Sequence, residues 1–108
     1  MTTLDGETII VTGASRGLGA SMATRFAREG ANVVLTARSE ADLEAVAADV
    51  ADAAGETLVA PADVTDEAAV RAVVDATIEE YGTVTGLVNN AGIGLLNMYG
   101  EQRVLHEV

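Results

Sequence analysis

Short apolar runs alternate with amphipathic segments along most of the chain. Four runs rich in Val, Ile, Leu and Thr have the length and composition of buried strands. Between these runs, apolar residues recur every three to four positions, which indicates helices. The chain therefore predicts the order β-α-β-α-β-α-β. The predicted strands are Thr8–Thr12, Asn32–Thr36, Thr57–Ala60 and Val84–Val88.

Each interval between two predicted strands carries helix signals. In the second interval Ser39 is the predicted N-cap, with Asp42 three residues later, a variant of the capping box. In the third interval either Thr65 or Asp66 is the predicted cap. The apolar stripes predicted to face the sheet are Leu18, Met22 and Phe26; Leu43, Val46, Ala47 and Val50; and Val70, Val73, Val74, Thr77 and Tyr81.

Apolar strands separated by helices are typical of an α/β fold, a doubly wound parallel (Rossmann) sheet with helices on both faces. Right-handed crossovers favour the strand order 3-2-1-4. Because no clear strand pattern follows Val88, we expect a sheet truncated after the fourth strand and an irregular tail over residues 95–108. The predicted ligand position is the carboxyl end of strands one and four, where the winding reverses.

An outer edge on strand four would carry unpaired N–H and C=O groups, and such an edge favours association with another chain. The same truncation would expose an apolar patch. Its expected members are Leu87, Val88, Ile93, Leu95 and Leu96.

The charge balance excludes several classes of partner. The chain has 17 acidic residues against 6 basic ones and a formal net charge of −11, and every basic residue is arginine. This charge repels phosphate backbones and anionic lipids, so we expect neither a nucleic-acid nor a membrane partner. The excess of acids without lysine is typical of proteins from halophiles, in which salt screens the self-repulsion. The alternative is an acidic protein without any such adaptation.

Other absences narrow the chemistry further. With no cysteine and one histidine, the chain offers no thiolate nucleophile and no metal site. Its three aromatic residues do not form a stacking platform for single-stranded nucleic acid. Because no apolar run approaches the ~20 residues of a membrane span and no targeting segment is evident, the sequence predicts a cytoplasmic protein.

A glycine-rich loop joins the first predicted strand to the first helix. Gly13 permits a tight turn, Gly17 lets the backbone approach a pyrophosphate, and Gly19 permits close packing of the helix on the sheet. Phosphates bind readily at the N-terminus of such a helix. The alternative is a purely structural turn, but the strand and helix on either side favour nucleotide binding. The predicted cofactor-binding residues of this loop are Thr12, Gly13, Ser15, Arg16, Gly17, Leu18 and Gly19.

The end of the second strand indicates which dinucleotide binds. Folds that select NAD place Asp or Glu about 20 residues after the glycine loop, where it binds the ribose 2′-OH. Here the chain has Ala37 and Arg38, and no acid occurs before Glu40. A guanidinium suits a 2′-phosphate, and Arg16 is placed to approach it from the other side. We therefore expect NADP(H) in preference to NAD(H), the alternative being two solvated surface arginines.

Three motifs in register resemble those of the short-chain dehydrogenases/reductases of the classical type. They are Thr12-Gly13-x-x-x-Gly17-x-Gly19, Asp63-Val64 and Asn89-Asn90-Ala91-Gly92, and the resemblance covers residues 7 to about 94. The resemblance implies that Asp63 accepts a hydrogen bond from the adenine amino group and that Val64 backs the ring. It also implies that Asn89, Asn90, Ala91 and Gly92 line the cofactor ribose and tie strand four to Thr12. The alternatives are a helix-capping acid and an ordinary loop turn.

The same resemblance implies catalytic residues that this chain does not carry. The family uses a serine, a tyrosine and a lysine four residues after the tyrosine, all beyond the asparagine motif, and this chain has no lysine. Tyr99 and Arg103 have the spacing, but they follow strand four too closely and a guanidinium is a poor substitute for an ammonium group. His106 is expected to be a surface residue. No catalytic residue is predicted, and we expect no turnover from these 108 residues.

Taken as a whole, the resemblance implies a single, incomplete NAD(P)-binding domain over residues 1–108. This domain is the N-terminal cofactor-binding part of an oxidoreductase that interconverts a carbonyl and an alcohol by hydride transfer. Examples of such activity are 3-oxoacyl reductases and sugar or alcohol dehydrogenases. The full-length protein is expected to be a homo-oligomer that acts on a small carbonyl or alcohol substrate. The alternative is a non-catalytic nucleotide-binding or interaction protein that is complete at Val108.

Overall fold

Parallel strands and helices alternate in the structure, a computed structural model that describes residues 4–90 and the backbone of 106–107. None of the helices in this part of the chain has the length and apolar character needed to cross a bilayer. The strands are β1 (Thr8–Thr12), β2 (Asn32–Thr36), β3 (Thr57–Val59), β4 (Gly86–Asn89) and β5 (His106–Glu107); the helices are α1 (Gly17–Arg28), α2 (Glu40–Asp49) and α3 (Glu67–Tyr81).

The sheet has the strand order β3-β2-β1-β4-β5, and all its neighbouring strands run parallel. This order confirms the predicted arrangement 3-2-1-4. Thr12 of β1 pairs with Thr36 of β2, and Val11 pairs with Val88 of β4. The carboxyl ends of the three central strands therefore meet at one edge of the sheet, where the glycine loop and the asparagine motif both begin.

Alternate residues of the central strands contact opposite layers of helices. Ile9 and Val11 pack in one cluster with residues of α1 and α2, whereas Ile10 packs with residues of α3. The exposed fraction of all three side chains is at most 1%. Burying one such side chain stabilises the folded state by about 1.5–3 kcal/mol relative to leaving it in water. The two layers of helices are the arrangement that the fully apolar strands predicted.

The face that α1 turns toward the sheet differs from the predicted one. Its buried residues are Gly19, Ala23 and Ala27, one position away from the predicted stripe. Leu18 is 54% exposed, and Met22 and Phe26 are only partly buried. Small side chains let α1 approach the sheet closely, so the larger apolar residues are displaced to its flank. The stripes of α2 and α3 are as predicted at their buried positions Leu43, Val46, Val70, Val73 and Thr77.

The N-termini of α2 and α3 are capped by side chains. Ser39 Oγ accepts a hydrogen bond from Asp42 N at 3.3 Å, as the capping box predicts. Of the two candidates for the third helix, Asp66 is the cap, because its Oδ1 accepts from Ala68 N at 3.0 Å and from Ala69 N at 3.3 Å. These bonds satisfy amide groups that have no partner within the helix.

The short strand β5 corrects two expectations about the end of the sheet. It pairs with β4 through Val88 and Asn89, so the sheet does not stop at the fourth strand and residues 106–107 are not irregular. The exposed fractions of Leu87 and Val88 are both 0%, so neither contributes to an exposed apolar patch. Backbone groups on an open strand edge favour such pairing. The remaining predicted patch residues, Ile93, Leu95 and Leu96, lie outside the described residues.

Candidate functional site

The glycine loop leaves β1 through two left-handed backbone positions. Gly13 has φ +64° and Gly17 has φ +60°, values that residues with a Cβ rarely adopt. A Cβ at Gly17 would meet no atom within 4 Å, so glycine is required there by the backbone conformation alone. Between them, Ser15 is half-buried and Arg16 is exposed. The loop therefore turns sharply and directs the start of α1 toward the carboxyl edge of the sheet.

Gly19 and Asn90 fix the other side of the loop. A Cβ at Gly19 would overlap the Gly13 carbonyl oxygen and lie 2.7 Å from Asn90 Nδ2. The same Asn90 Nδ2 donates a hydrogen bond to Gly13 O at 3.3 Å. This side of the motif is thus packed so tightly that only glycine fits at position 19, and the loop is held to the segment that follows β4.

A second hydrogen bond joins β4 to the end of β1. Thr12 Oγ1 donates to Val88 O at 3.3 Å, so this bond is made by the residue that precedes the asparagine motif, not by the motif itself. Thr12 and Asn89 are 1% and 2% exposed, so both are interior to the sheet edge. The other two residues of the asparagine motif, Ala91 and Gly92, lie outside the described residues. Thr12 and Asn90 therefore hold the two predicted cofactor loops together.

The N-terminus of α1 differs from those of the other two helices. Arg16 occupies the N-cap position in an extended conformation, with φ −164°, and its side chain makes no capping hydrogen bond. The first turn of α1 carries no acidic residue, whereas the first turns of α2 and α3 carry Glu40, Asp42 and Glu67. The partial positive charge of a helix N-terminus is neutralised by such groups. In α1 this charge is available to an external anion.

A cavity of about 200 Å³ lies beside the glycine loop. Its apolar wall consists of alanine and valine side chains, and its rim carries a guanidinium, a carboxylate and a hydroxyl group. This volume is below the ~300–1,000 Å³ of typical drug-sized pockets and suits a single flat ring system. The lining residues are Gly13, Ala37, Arg38, Ala62, Asp63, Val64 and Thr65.

Asp63 forms hydrogen bonds with both other polar residues of this rim, Arg38 and Thr65. Its Oδ2 accepts a hydrogen bond from Arg38 Nη2 at 3.1 Å. Its Oδ1 accepts from Thr65 N at 2.9 Å and from Thr65 Oγ1 at 2.6 Å. These contacts lower the pKa of Asp63 below its ordinary value of 3.8, first through the Thr65 hydroxyl, then through the Thr65 N–H, with Arg38 adding a smaller effect. The carboxylate is therefore charged at neutral pH.

Thr65 is the residue of this cluster that the sequence analysis did not assign to the site. The sequence predicts Thr65 only as an alternative helix cap, and Asp66 takes that role. An Asp followed two residues later by Thr is the pattern of an Asx-turn, in which the carboxylate accepts from the backbone two positions on. This local signal would have connected Thr65 to Asp63.

The structure groups some of the predicted residues and separates others. Gly13, Arg38, Asp63 and Val64 line one cavity, whereas Arg16 is not among its lining residues. A larger surface groove of about 370 Å³ runs between α1 and α2 and contains none of the predicted site residues. It is lined by Ala20, Ser21, Thr24, Arg25, Arg28, Val46 and Asp49. The side chains of Tyr99, Arg103 and His106 lie outside the described part of the chain.

Comparisons with known proteins place the chain among dehydrogenases. The family described as short chain dehydrogenase matches residues 7–107. The 3beta-hydroxysteroid dehydrogenase 1 of Eggerthella lenta is 46% identical over 92 residues, which cover 83% of this chain and 35% of that protein. A metagenomic short-chain oxidoreductase in complex with NADP is 40% identical with a TM-score of 0.78, covering 83% of this chain and 41% of that one.

A second solved structure is similar to the same extent. The 3-ketoacyl-(acyl-carrier-protein) reductase from Brucella melitensis, complexed with NADH, is 45% identical with a TM-score of 0.76, covering 84% of this chain and 36% of that one. The chain spans 26% to 38% of the length of eight similar curated relatives.

Proposed function

Because the chain belongs to the short-chain dehydrogenase/reductase family, we propose that its carboxyl sheet edge binds the adenine half of NADP(H). The pyrophosphate lies against the N-terminus of α1, and the adenine ring enters the 200 Å³ cavity. One observation carries this proposal: Gly13 both begins the loop before the uncapped helix and lines the cavity, so the two subsites are contiguous.

The rim of the cavity has the groups that adenine requires. A carboxylate offers about four lone-pair positions. Thr65 occupies two of them on Oδ1 and Arg38 occupies one on Oδ2, so Asp63 retains one for the adenine amino group. Val64 forms part of the wall against which the ring stacks. The ribose contacts belong to Asn89, Asn90, Ala91 and Gly92, as in the family.

Arg38 favours NADP(H) over NAD(H). No carboxylate follows β2 before Glu40, so the group that binds a free 2′-OH is missing, and the guanidinium of Arg38 stands at the cavity rim instead. A guanidinium has five N–H donors, and Asp63 takes the hydrogen bond from only one Nη. The remaining donors are available to a 2′-phosphate. Of the two similar structures described above, one holds NADP and the other NADH, so both dinucleotides occur among close relatives.

For the complete protein we propose an oxidoreductase that interconverts an alcohol and a carbonyl compound. The nicotinamide supplies or accepts the hydride when the cofactor is bound. The residues described here bind and orient the adenine end: the α1 amides hold the pyrophosphate, and Asp63 and Arg38 fix the base and the 2′-phosphate. We assign the exchange of the proton that accompanies the hydride to other residues of the complete protein, as the family resemblance implies.

Calorimetric titration of the 108-residue chain with 2′,5′-ADP and 5′-AMP tests the cofactor preference. These ligands share the adenosine and 5′-phosphate and differ only in the 2′-phosphate. A charge-assisted hydrogen bond contributes about 1.5–3 kcal/mol, so we expect at least about tenfold tighter binding of 2′,5′-ADP. Substituting Arg38→Asp should reverse the order.

Arg71→Asp is the matched control, because it makes the same charge change at an exposed arginine of α3 outside the cavity. It should lower the affinity for both nucleotides only slightly and leave their ratio unchanged. Equal affinities for 2′,5′-ADP and 5′-AMP in the unmodified chain would contradict the assignment of NADP(H). Absence of binding by both would contradict the nucleotide site itself.

A further inference from the structure

Thr65, Asp63 and Arg38 form a hydrogen-bonded series along the rim of the cavity. We infer that Thr65 is a positioning residue, which acts through Asp63 to orient Arg38 and so sets the preference for a 2′-phosphorylated nucleotide. The inference rests on the proposed adenine site and assigns its selectivity to Thr65, a neutral residue of the cavity rim that acts on the phosphate through Asp63 and Arg38.

Arg38 depends on Asp63 for its orientation. Its side chain is 76% exposed, and among the described residues it forms an ion pair with Asp63 Oδ2 at 3.1 Å. A long exposed arginine without an anchor samples many rotamers, and ordering it on binding has an entropic cost that weakens the affinity. The contact with Asp63 holds the guanidinium at the cavity before a ligand arrives.

Asp63 depends in turn on Thr65. Its side chain is 42% exposed, and a carboxylate with so little packing rotates readily unless hydrogen bonds fix its plane. Thr65 provides two bonds to the same oxygen, from its N–H and from its hydroxyl, and thereby presents the other oxygen to Arg38. The hydroxyl bond is the shorter of the two, at 2.6 Å.

The negative charge of Asp63 acts against the binding of a phosphate, so replacing Asp63 itself would change charge and orientation together. Thr65 avoids this difficulty because it is neutral. Thr65→Val keeps the shape of the side chain and the backbone N–H but removes the hydroxyl bond, while the carboxylate keeps its charge. Thr65→Ser restores the hydroxyl. The pair of variants therefore separates orientation from electrostatics.

The experiment measures the ratio of the affinities for 2′,5′-ADP and 5′-AMP by calorimetry. We expect Thr65→Val to lower this ratio by about twofold to tenfold, less than a full charge-assisted hydrogen bond contributes, because Thr65 acts on the phosphate only through Asp63 and Arg38. Thr65→Ser should restore it. In an Arg38→Ala background, Thr65→Val should leave the ratio unchanged, because the residue through which Thr65 acts on the phosphate is gone. Thr83→Val, at another exposed threonine, is the matched control and should change neither affinity.

The outcomes distinguish this inference from the proposed function. If the unmodified chain binds neither nucleotide, the adenine site is wrong. If it binds both with the expected preference and Thr65→Val weakens both equally, Thr65 supports only the base and the inference is overturned. An unchanged ratio also overturns it. Should Thr65→Val lower the melting temperature, Thr65→Ala provides the same comparison with the N–H bond retained.

Discussion

A buried threonine hydroxyl needs a hydrogen-bond partner, and backbone carbonyl oxygens provide one for Thr12 and Thr77. Thr12 Oγ1 donates to Val88 O, and Thr77 Oγ1 donates to Val73 O at 2.7 Å. Thr36 is the exception: its exposed fraction is 1%, and its Oγ1 is the buried side-chain atom without a hydrogen-bond partner among the described residues. A hydroxyl group that is removed from water without a partner destabilises the folded state.

Replacing Thr36 by Val should therefore raise the free energy of unfolding. The variant keeps the β-branched shape and removes a hydroxyl that makes no bond, so we expect a gain of about 1 kcal/mol in urea denaturation. Thr12→Val, at the paired position of β1, removes a hydrogen-bonded hydroxyl and should lower the same quantity by about 1 kcal/mol. Destabilisation by both variants would mean that Thr36 has a partner in solution.

At the scale of single elements, α1 shows that side-chain size and burial do not always coincide. The apolar spacing of Leu18, Met22 and Phe26 predicted the wrong face, because the helix lies close to the sheet and only small residues fit between them. Gly19 belongs to the same row as Ala23. The helix therefore lies close to the sheet not only at Gly19, beside the glycine loop, but also at Ala23 in the next turn.

The buried face that the sequence predicts for α1 and the one that the structure shows lead to opposite expectations for the stability of two variants. Ala23→Leu overpacks the interface with the sheet and should lower the free energy of unfolding by about 1–3 kcal/mol. Leu18→Ala removes a side chain that is 54% exposed and should change the same quantity by no more than about 0.5 kcal/mol. Urea denaturation of both variants decides the question. A larger loss for Leu18→Ala than for Ala23→Leu would show that the 18/22/26 stripe is the buried face after all.

The elements could be predicted from the sequence where one local pattern dominates. β1 and β2 have the predicted bounds, because each is an uninterrupted apolar run with a turn signal after it. β4 runs from Gly86 to Asn89 instead of from Val84 to Val88, although Thr85 N–H already donates to Thr8 O of β1 just before it. β5 has only two residues, too few for any periodicity to indicate.

Sequence motifs and their spacing identified part of the candidate site, namely its glycines and the residues Arg38 and Asp63. They did not identify the contacts between these residues. The contact between Arg38 and Asp63 spans 25 positions, and no local pattern encodes it. Thr65 could have been placed beside Asp63 by the Asx-turn pattern, whereas only the geometry shows that Asp66 and not Thr65 caps the helix.

The end of α3 predicts a pH dependence. Burial raises the pKa of Tyr81 above its ordinary value of 10.0, and the carboxylates of Glu56 and Glu80 raise it further. Because the folded chain holds this proton more tightly than the unfolded chain, the free energy of unfolding should fall as the pH rises above 10 and level off above the folded pKa. Tyr81→Phe should reduce this fall. Absorbance titration of a Tyr99→Phe variant, in which Tyr81 is the remaining tyrosine, checks the pKa; a midpoint at or below 10 would contradict it.

At the scale of the whole molecule, an apolar sheet is enclosed by a strongly acidic surface. The net charge is −11, and three ion pairs are formed within the described residues. Two of them, Arg25 with Glu29 and Arg71 with Glu67, join side chains four residues apart on the same helix. Such exposed pairs contribute little to stability. The fold therefore depends on its core, and the charges act mainly against compactness.

Salt should for this reason stabilise the chain. The Debye length falls from about 10 Å at 0.1 M to about 3 Å at 1 M salt, so repulsion between separate acidic groups is largely screened in molar KCl. We expect the melting temperature to rise from dilute buffer to molar KCl, with most of the rise below about 0.5 M, where the Debye length changes most. A variant with Glu44→Gln, Asp75→Asn and Glu79→Gln, at three exposed positions outside the three ion pairs of the described residues, should melt at a higher temperature in dilute buffer and gain less from KCl. Sucrose is the control, because it stabilises proteins by exclusion from their surface and does not screen charge. It should raise the melting temperatures of the unmodified chain and of the variant equally. A melting temperature that stays flat or falls in KCl would contradict the adaptation to salt that the absence of lysine and the excess of acids predict.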